Sequence, residues 1–386
     1  MTRPRPFRVW LAAATVSTTG DSVSFFALAW FATAYGPGAA SLVLTVESIP
    51  LCALILAGGA FADRYGARRM MIGCDAAMVG VMGLLALATV RGVPLWALVV
   101  GAALAGTAAA LRRPAEGVFP RLFSTGDELA RRMAVVGGCL QVARVAGPGL
   151  GGVLVAGAGM PGAAAFDAVT FVGVLLVLLR VRPPREADHV AGPRGRTWAA
   201  IADGVRAAAA APRVPTTVLA VMGLASSVLP LVMLCVPLLG RERQWSPAAV
   251  GIVSAAWVAG GLLVTVVVAR RGVPRARVAA AGPVLAATGV VLLAVVDDVL
   301  PAVLALATVG AGVTLVTARL LPAFVERTPP DMLARFQSLL GLAQTGPVLV
   351  ATPLLGLVAH GAGLGWALVA VAALLVATAV PVALLG

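Results

Sequence analysis

Long apolar runs, separated by short stretches bearing arginine, glycine or proline, extend over most of the chain. Runs that are apolar on every face show neither a helical nor an alternating period, so their length and their breaks place the elements. The breaks predict twelve helices, over about 8–34, 39–60, 70–90, 93–111, 132–157, 161–181, 215–239, 247–269, 276–296, 300–321, 334–359 and 362–385. Each is close to the roughly 20 residues that a helix needs to cross about 30 Å of hydrocarbon. Met1–Arg8 has the basic start of a secretion signal, but the spans behind it and Asp21 inside the first one predict a retained helix. The longest polar stretch, 182–214, separates an N-terminal six-helix half, 1–181, from a C-terminal six-helix half, 215–386. Within it Trp198, Ile201 and Val205 fall at helical spacing across Thr197–Ala211, which predicts a helix lying on the membrane surface.

Composition narrows the class further. With 60% of its 386 residues apolar and 12% charged, the chain is excluded from the water-soluble globular proteins. All 29 basic residues are arginine, against 16 acids. In a soluble protein that surplus would suggest nucleic acid. Here the arginines sit between apolar runs, on alternate loops, as cytoplasmic loops of membrane proteins do. Placing both termini in the cytoplasm puts every arginine on that side except Arg91, Arg241, Arg243 and the intramembrane Arg144. The expected setting is thus a multi-pass protein of the cell membrane whose partner is the lipid bilayer and not nucleic acid. Cys52, Cys74, Cys139 and Cys235 each stand alone in apolar runs, so no disulfide, zinc or redox pattern is predicted, and no cofactor.

Two motifs carry a resemblance. Gly59, Asp63, Arg64, Gly66, Arg68 and Arg69 form a loop similar to the G-x-L-A-D-R-x-G-R-R signature between helices two and three of the major facilitator superfamily, with Phe61 and Ala67 as departures. Its glycines permit a tight turn, and Asp63 can meet an arginine or a helix end. Gly147, Pro148, Gly151 and Gly152 resemble the core of the helix-five motif of the drug/proton antiporters of that superfamily, although Ala143 and Cys139 stand where its fuller form has glycine. A proline among small residues predicts a bend and close helix approach. Gly147, Gly149 and Gly152 also match G-x-G-x-x-G, but no strand precedes them, so the dinucleotide reading fails. Gly20-Asp21, Phe25 to Trp30, Ile49-Pro50, Arg113-Pro114-Ala115 and Phe166 to Phe171 extend the likeness to exporters related to the macrolide and enterobactin efflux proteins. It is dense in the N-terminal half and thin in the C-terminal half. An internal duplication is suggested by Gly66 with Gly272 and by Pro148 with Pro353, as expected when two halves rock about a central site.

Charges at bilayer depth are candidates for function, because each costs several kcal/mol unless paired or wet. At about 1.5 Å per residue, Asp21, Glu47, Arg144 and Asp167 all fall roughly 18–21 Å from the inner face, whereas the C-terminal half has no acid at that depth. The expectation is that Asp21 carries protons, Arg144 is its partner or switch, and Glu47 meets a cationic group of the substrate. A structural Asp167–Arg144 pair is the alternative. Asp75 is expected to pair with Arg112 or Arg113 at the inner end of helix four, as a gating or structural contact. The seven tryptophans sit mostly near predicted helix ends, where anchoring at the interface is expected. Phe25, Phe26 and Trp30 are read mainly as packing, with a substrate pocket as the alternative.

The resemblance implies a twelve-helix, all-α transporter, a monomer that exports a small amphipathic or apolar compound such as a drug, natural product or siderophore, driven by protons. An importer or uniporter of the same fold is the nearest rival. ATP as the driving force is excluded for a Walker-type site, since the chain has no lysine. An enzyme acting on lipid would need a nucleophile with its base or a cluster of acids. His189 and His360 are the only histidines, and Asp127-Glu128 and Asp297-Asp298 lie in loops without such a context.

Overall fold

The breaks in the apolar pattern become the turns of the fold. The computed structural model describes residues 5–183, 214–327 and 333–385, and the regular structure in them is helical throughout. The surface helix expected over Thr197–Ala211 lies outside the described residues. Helix α1 (Arg5–Ala32) passes through a 3-10 turn and Gly36 into α2 (Pro37–Tyr65), whose proline occupies the first helical position, where no amide donor is needed. Gly66 then turns the chain at φ 84°, a left-handed conformation that suits glycine, into α3 (Ala67–Ala88). After Pro94 comes α4 (Leu95–Val118), which tightens into a 3-10 turn at Phe119–Leu122.

The next helix, α5 (Gly126–Arg180), has 55 residues. At 1.5 Å per residue it is far longer than a bilayer is thick. Gly159, at φ 63° and ψ −161°, breaks it into two arms where the sequence predicts a break between spans. The remaining helices are α6 (Val214–Glu242), with a π-helical stretch at Leu231–Cys235 after Pro230, α7 (Pro247–Arg271), α8 (Ala276–Val295), α9 (Val299–Arg327), α10 (Leu333–Gly361) and α11 (Leu364–Leu384). Ten helical stretches among the described residues are long and apolar enough to cross a membrane, the two arms of α5 forming one of them. Helix α1 is not among the ten; its middle, Thr15 to Ser24, is rich in hydroxyls and carries Asp21.

The helices sort into two units. Of the described residues, one unit takes 5–35, 42–183 and 246–251, and the other takes 36–41, 214–245, 252–327 and 333–385. In the first, α1 lies along α5, and α3 packs against α4 and α5. One end of this unit is closed by an aromatic cluster. Trp10 and Phe119 have ring centroids 4.8 Å apart, Phe7 and Phe123 complete the group, and the Arg132 guanidinium lies 4.7 Å from the Phe7 ring. Trp10 is fully buried there and Trp30 is buried too, so neither side chain is open to its surroundings as interface anchoring would need; Trp96 and Trp366 are exposed. In the second unit α6 packs on α10 and α11, and α8 on α9 and α11, with Val214, Val221, Phe324, Leu340 and Ala343 in one cluster.

Internally the two units repeat one packing scheme. Gly20 of α1 lies against Thr170 in the second arm of α5, and Gly223 of α6 lies against Thr378 of α11. Gly106 of α4 lies against the backbone carbonyl of Glu47, and Gly310 of α9 against that of Trp257. Gly66 and Gly272 both turn at positive φ, 84° and 85°. These close approaches need a residue without a side chain on one partner.

Candidate functional site

The repeat also shows what the second unit lacks. Asp21 follows Gly20, whereas Leu224 follows Gly223; Glu47 faces Gly106, whereas Trp257 faces Gly310. Three residues before Thr170 is Asp167, and three before Thr378 is Leu375. Every acid singled out at bilayer depth therefore has an apolar counterpart. The site is built into the first unit.

Its hub is Arg112. The sequence places this residue in a cytoplasmic loop after a span ending at 111, but the apolar stretch that contains it runs Leu95–Leu122. Arg112 and Arg113 thus lie ten and nine residues before its end, about 15 Å along the helix, and the Arg112 side chain is only 6% exposed. Three acids surround it. Arg112 Nε donates to Asp75 Oδ1 at 2.7 Å, its Nη1 lies 3.5 Å from Glu116 Oε2, and the same Nη1 lies 3.9 Å from Asp21 Oδ2. Helical geometry puts Arg112 and Glu116, four residues apart, on one face of α4. Asp75 comes from α3 with a wholly buried side chain, whereas the Asp21 side chain is 38% exposed. A buried guanidinium satisfies buried carboxylates only when the geometry is good, and here its first bond is good.

Of the two partners the sequence suggests for Asp75, Arg112 and Arg113, the structure pairs it with Arg112. The pairs expected of Arg144 are not formed. Its side chain is exposed and makes no ion pair with a described residue, while Arg112 approaches Asp21 from α4. Asp167 is fully buried. The Thr170 hydroxyl donates to its backbone carbonyl at 2.8 Å and lies 3.3 Å from its Oδ1, and Oδ2 has no partner among the described residues. Glu47 is half-buried, with Oε2 likewise unpartnered.

The glycines of the two motifs have separate tasks. Gly147 sits against Ser22 and Gly151 against Phe26, which seats α1 in α5 at the Asp21 level and about one turn beyond it. Phe26 is buried in this seam, in keeping with the packing reading. Gly152 faces the backbone of Pro247 to Gly251, a segment of the same unit. At Pro148 the backbone stays helical. Gly59, Asp63 and Arg64 lie in the last part of α2, before the turn at Gly66. Arg68 Nε donates to the Leu178 carbonyl at 2.9 Å and its Nη2 to that of Leu179 at 3.2 Å, which caps the end of α5; Arg69 is exposed. Carbonyls at a helix end have no intrahelical partner, so a cation there satisfies both hydrogen bonding and the helix dipole.

Two residues of this site are hidden in the sequence. Arg112 adjoins Arg113 at the end of an apolar run, the usual mark of a loop. Glu116 follows Pro114 and looks like part of the same loop. The available signal is the largely apolar Val118 to Phe123 segment beyond them, interrupted only by Arg121, which continues the span.

A family model described as Major Facilitator Superfamily matches residues 10–352. No curated protein sequence matches the chain. Among solved structures it is similar to a variant of the nucleoside transporter NupG (12% identity, TM-score 0.77, covering 98% of this chain and 99% of that one). It is also similar to a bacterial homologue of the iron transporter ferroportin (16% identity, TM-score 0.76, 99% and 98% covered). A third is a bacterial homologue of the human lysosomal transporter Spinster (13% identity, TM-score 0.74, 99% and 97% covered). At these identities the likeness is one of fold.

Proposed function

Because the chain belongs to the Major Facilitator Superfamily and is a multi-pass membrane transporter, we propose that it exports a small amphipathic or apolar compound across the cell membrane in exchange for protons, as a monomer of the drug/proton antiporter branch. In this reading it has twelve spans, counting α1 and the two arms of α5, arranged as two six-helix halves joined by a cytoplasmic loop at 182–214. Both termini are cytoplasmic. Transport proceeds by alternating access.

The observation that carries the reading is the charged cluster of the first unit, in which a buried arginine meets three acids from three helices. Charge of this kind is costly in a bilayer and is kept where ions or substrates move. Asp21 is the proton carrier, since it is the exposed member of the cluster and therefore the one that water and protons can reach. Arg112 takes the partner role that the sequence alone gave to Arg144, and Arg144 is left to face the substrate or water. Glu47 meets a cationic substrate group, and Asp167 braces α1 against α5 beneath Gly20. The second unit carries apolar residues in the corresponding places, Leu224 and Leu375 among its buried core. One charge moving down 100 mV releases about 2.3 kcal/mol, enough for a substantial gradient of substrate.

Cells stripped of their own broad exporters and challenged with a panel of amphipathic antibiotics and siderophores test this. The wild-type protein is expected to protect against at least one compound and to lower its accumulation, and an uncoupler abolishes the effect. Asp21→Asn reaches the membrane in normal amount and gives no protection. Full protection by Asp21→Asn, or protection that survives the uncoupler, overturns the assignment.

A further inference from the structure

Arg112 is placed between two carboxylates that it cannot serve equally. It bonds Asp75 through Nε at 2.7 Å, yet its Nη1 stands 3.9 Å from Asp21, just within ion-pair range and too far for a hydrogen bond. Its remaining nitrogen, Nη2, is buried with no partner among the described residues, and Asp75 Oδ2 and Glu116 Oε1 are in the same condition. Buried polar atoms are nearly always satisfied in a settled arrangement, so three open positions around one guanidinium mark an arrangement with more than one solution. The Phe171 ring, 5.7 Å from the guanidinium carbon, supports the cation without favouring either acid.

The backbones around the cluster leave the motion to the side chain. Helix α1 is seated on α5 by Gly20 against Asp167 and Thr170, Gly147 against Ser22 and Gly151 against Phe26, so Asp21 stands on a fixed frame. Closing the gap from 3.9 Å to a hydrogen bond takes a guanidinium swing of about 1 Å. Arg112 reaches across from α4, and a long flexible side chain makes that swing readily.

We propose that Asp75 is a positioning residue that competes with Asp21 for Arg112, so that the guanidinium moves onto Asp75 when Asp21 takes up a proton and returns when the proton leaves. The inference deepens the proton-exchange reading above and rests on it. Each exchange is balanced: one proton bonds to a carboxylate oxygen of Asp21 and cancels its charge, the arginine keeps its own charge and changes partner, and release reverses both. The arrangement in this structure, with Arg112 bonded to Asp75 and withdrawn from Asp21, is the one belonging to a proton-loaded Asp21. The groups facing Asp21 are Arg112, Arg113 and Glu116 from α4, Asp75 from α3 and Arg144 from α5. Glu47 of α2 and Asp167 of α5 also act on it electrostatically. Among the described residues only Asp75 holds Arg112 by a hydrogen bond shorter than 3 Å.

The test needs no substrate. Protein reconstituted in liposomes on a solid-supported membrane is given pH steps, and the charge displaced by proton binding is followed against pH. The wild type is expected to show a single midpoint, and Asp21→Asn removes the displacement. Removing Asp75 as a competitor leaves Arg112 with Asp21 and also takes a negative charge from its surroundings. The Asp75→Asn midpoint therefore moves to lower pH, by about one unit, a tenfold weaker binding of the proton. Asp75→Glu returns it toward the wild-type value. If Asp75→Asn fails to fold, Glu116→Gln removes the other carboxylate near Arg112 and is expected to shift the midpoint in the same direction by less. An unchanged midpoint in whichever of the two neutral variants folds, with Asp21→Asn silent, overturns the switch and leaves the transport reading standing. A full displacement in Asp21→Asn overturns that reading instead.

Discussion

At Gly106 the backbone of α4 comes so close to the carbonyl of Glu47 that a side chain has no room, whereas Gly80 of α3 has nothing within 4 Å of where a side chain would begin. The two positions are both glycine in a membrane helix, and the sequence does not distinguish them. Gly106→Val is expected to lower the stability of the purified protein by about 1–3 kcal/mol, the usual cost of overpacking, and to displace Glu47. Gly80→Val leaves stability within about 0.5 kcal/mol, as for a substitution that meets no neighbour. Thermal unfolding in detergent compares them, and equal behaviour of the two variants counts against the close helix approach. Acids are more legible than glycines at this scale. Asp21, Glu47 and Asp167 stand out because each interrupts an apolar run. Arg112 does not, because a basic pair at the end of a run has the same pattern in a loop as in the last turns of a long helix. Its depth follows from Leu95–Leu122 being one continuous stretch, which depends on packing that no local pattern records.

Among the elements, the turns were the most readable parts of the chain. Gly66 and Gly272 recur in corresponding places, and both adopt the positive φ that such a turn requires. The break between the fifth and sixth predicted spans lies where Gly159 leaves the helical region, although the helix otherwise runs on from Gly126 to Arg180. The role of the paired arginines after Gly66 was not readable, since Arg68 acts on carbonyls more than a hundred residues away. Removing it leaves the Leu178 and Leu179 carbonyls without this donor at the end of α5. A hydrogen bond to a charged group is worth about 1.5–3 kcal/mol, so Arg68→Ala is expected to speed amide hydrogen exchange in the last turn of α5 by about tenfold or more. Exchange in the middle of α5 stays as it was. Mass spectrometry of peptides from the two regions reads the difference, and uniform exchange across them would remove the capping role. On the second unit Arg243 does the same for α8, donating to the carbonyls of Leu293 and Ala294 at 3.0 and 2.9 Å, with Asp297 beside it.

Over the whole molecule, the repeat and the charge follow different rules. Packing is duplicated down to the glycine and threonine pairs, while Asp21, Glu47 and Asp167 have Leu224, Trp257 and Leu375 as their counterparts. A duplicated scaffold with its intramembrane acids in one copy confines the proposed response to protons to that unit, and the corresponding Leu224 and Leu375 of the other are buried in its core. Which side of the membrane each loop faces is a separate matter, and the arginines imply cytoplasmic termini. In a background with the four cysteines replaced, Arg69→Cys at the start of α3 and Arg275→Cys in the turn before α8 place exposed thiols expected on the cytoplasmic side, and Arg91→Cys and Asp298→Cys place them in turns expected outside. An impermeant maleimide added to intact cells is expected to label the second pair at least tenfold faster than the first, and permeabilising the cells brings the four to similar rates. The reverse order would turn the molecule over. Exchange against protons would still carry substrate outward, but the cytoplasmic placement of the two termini would be overturned.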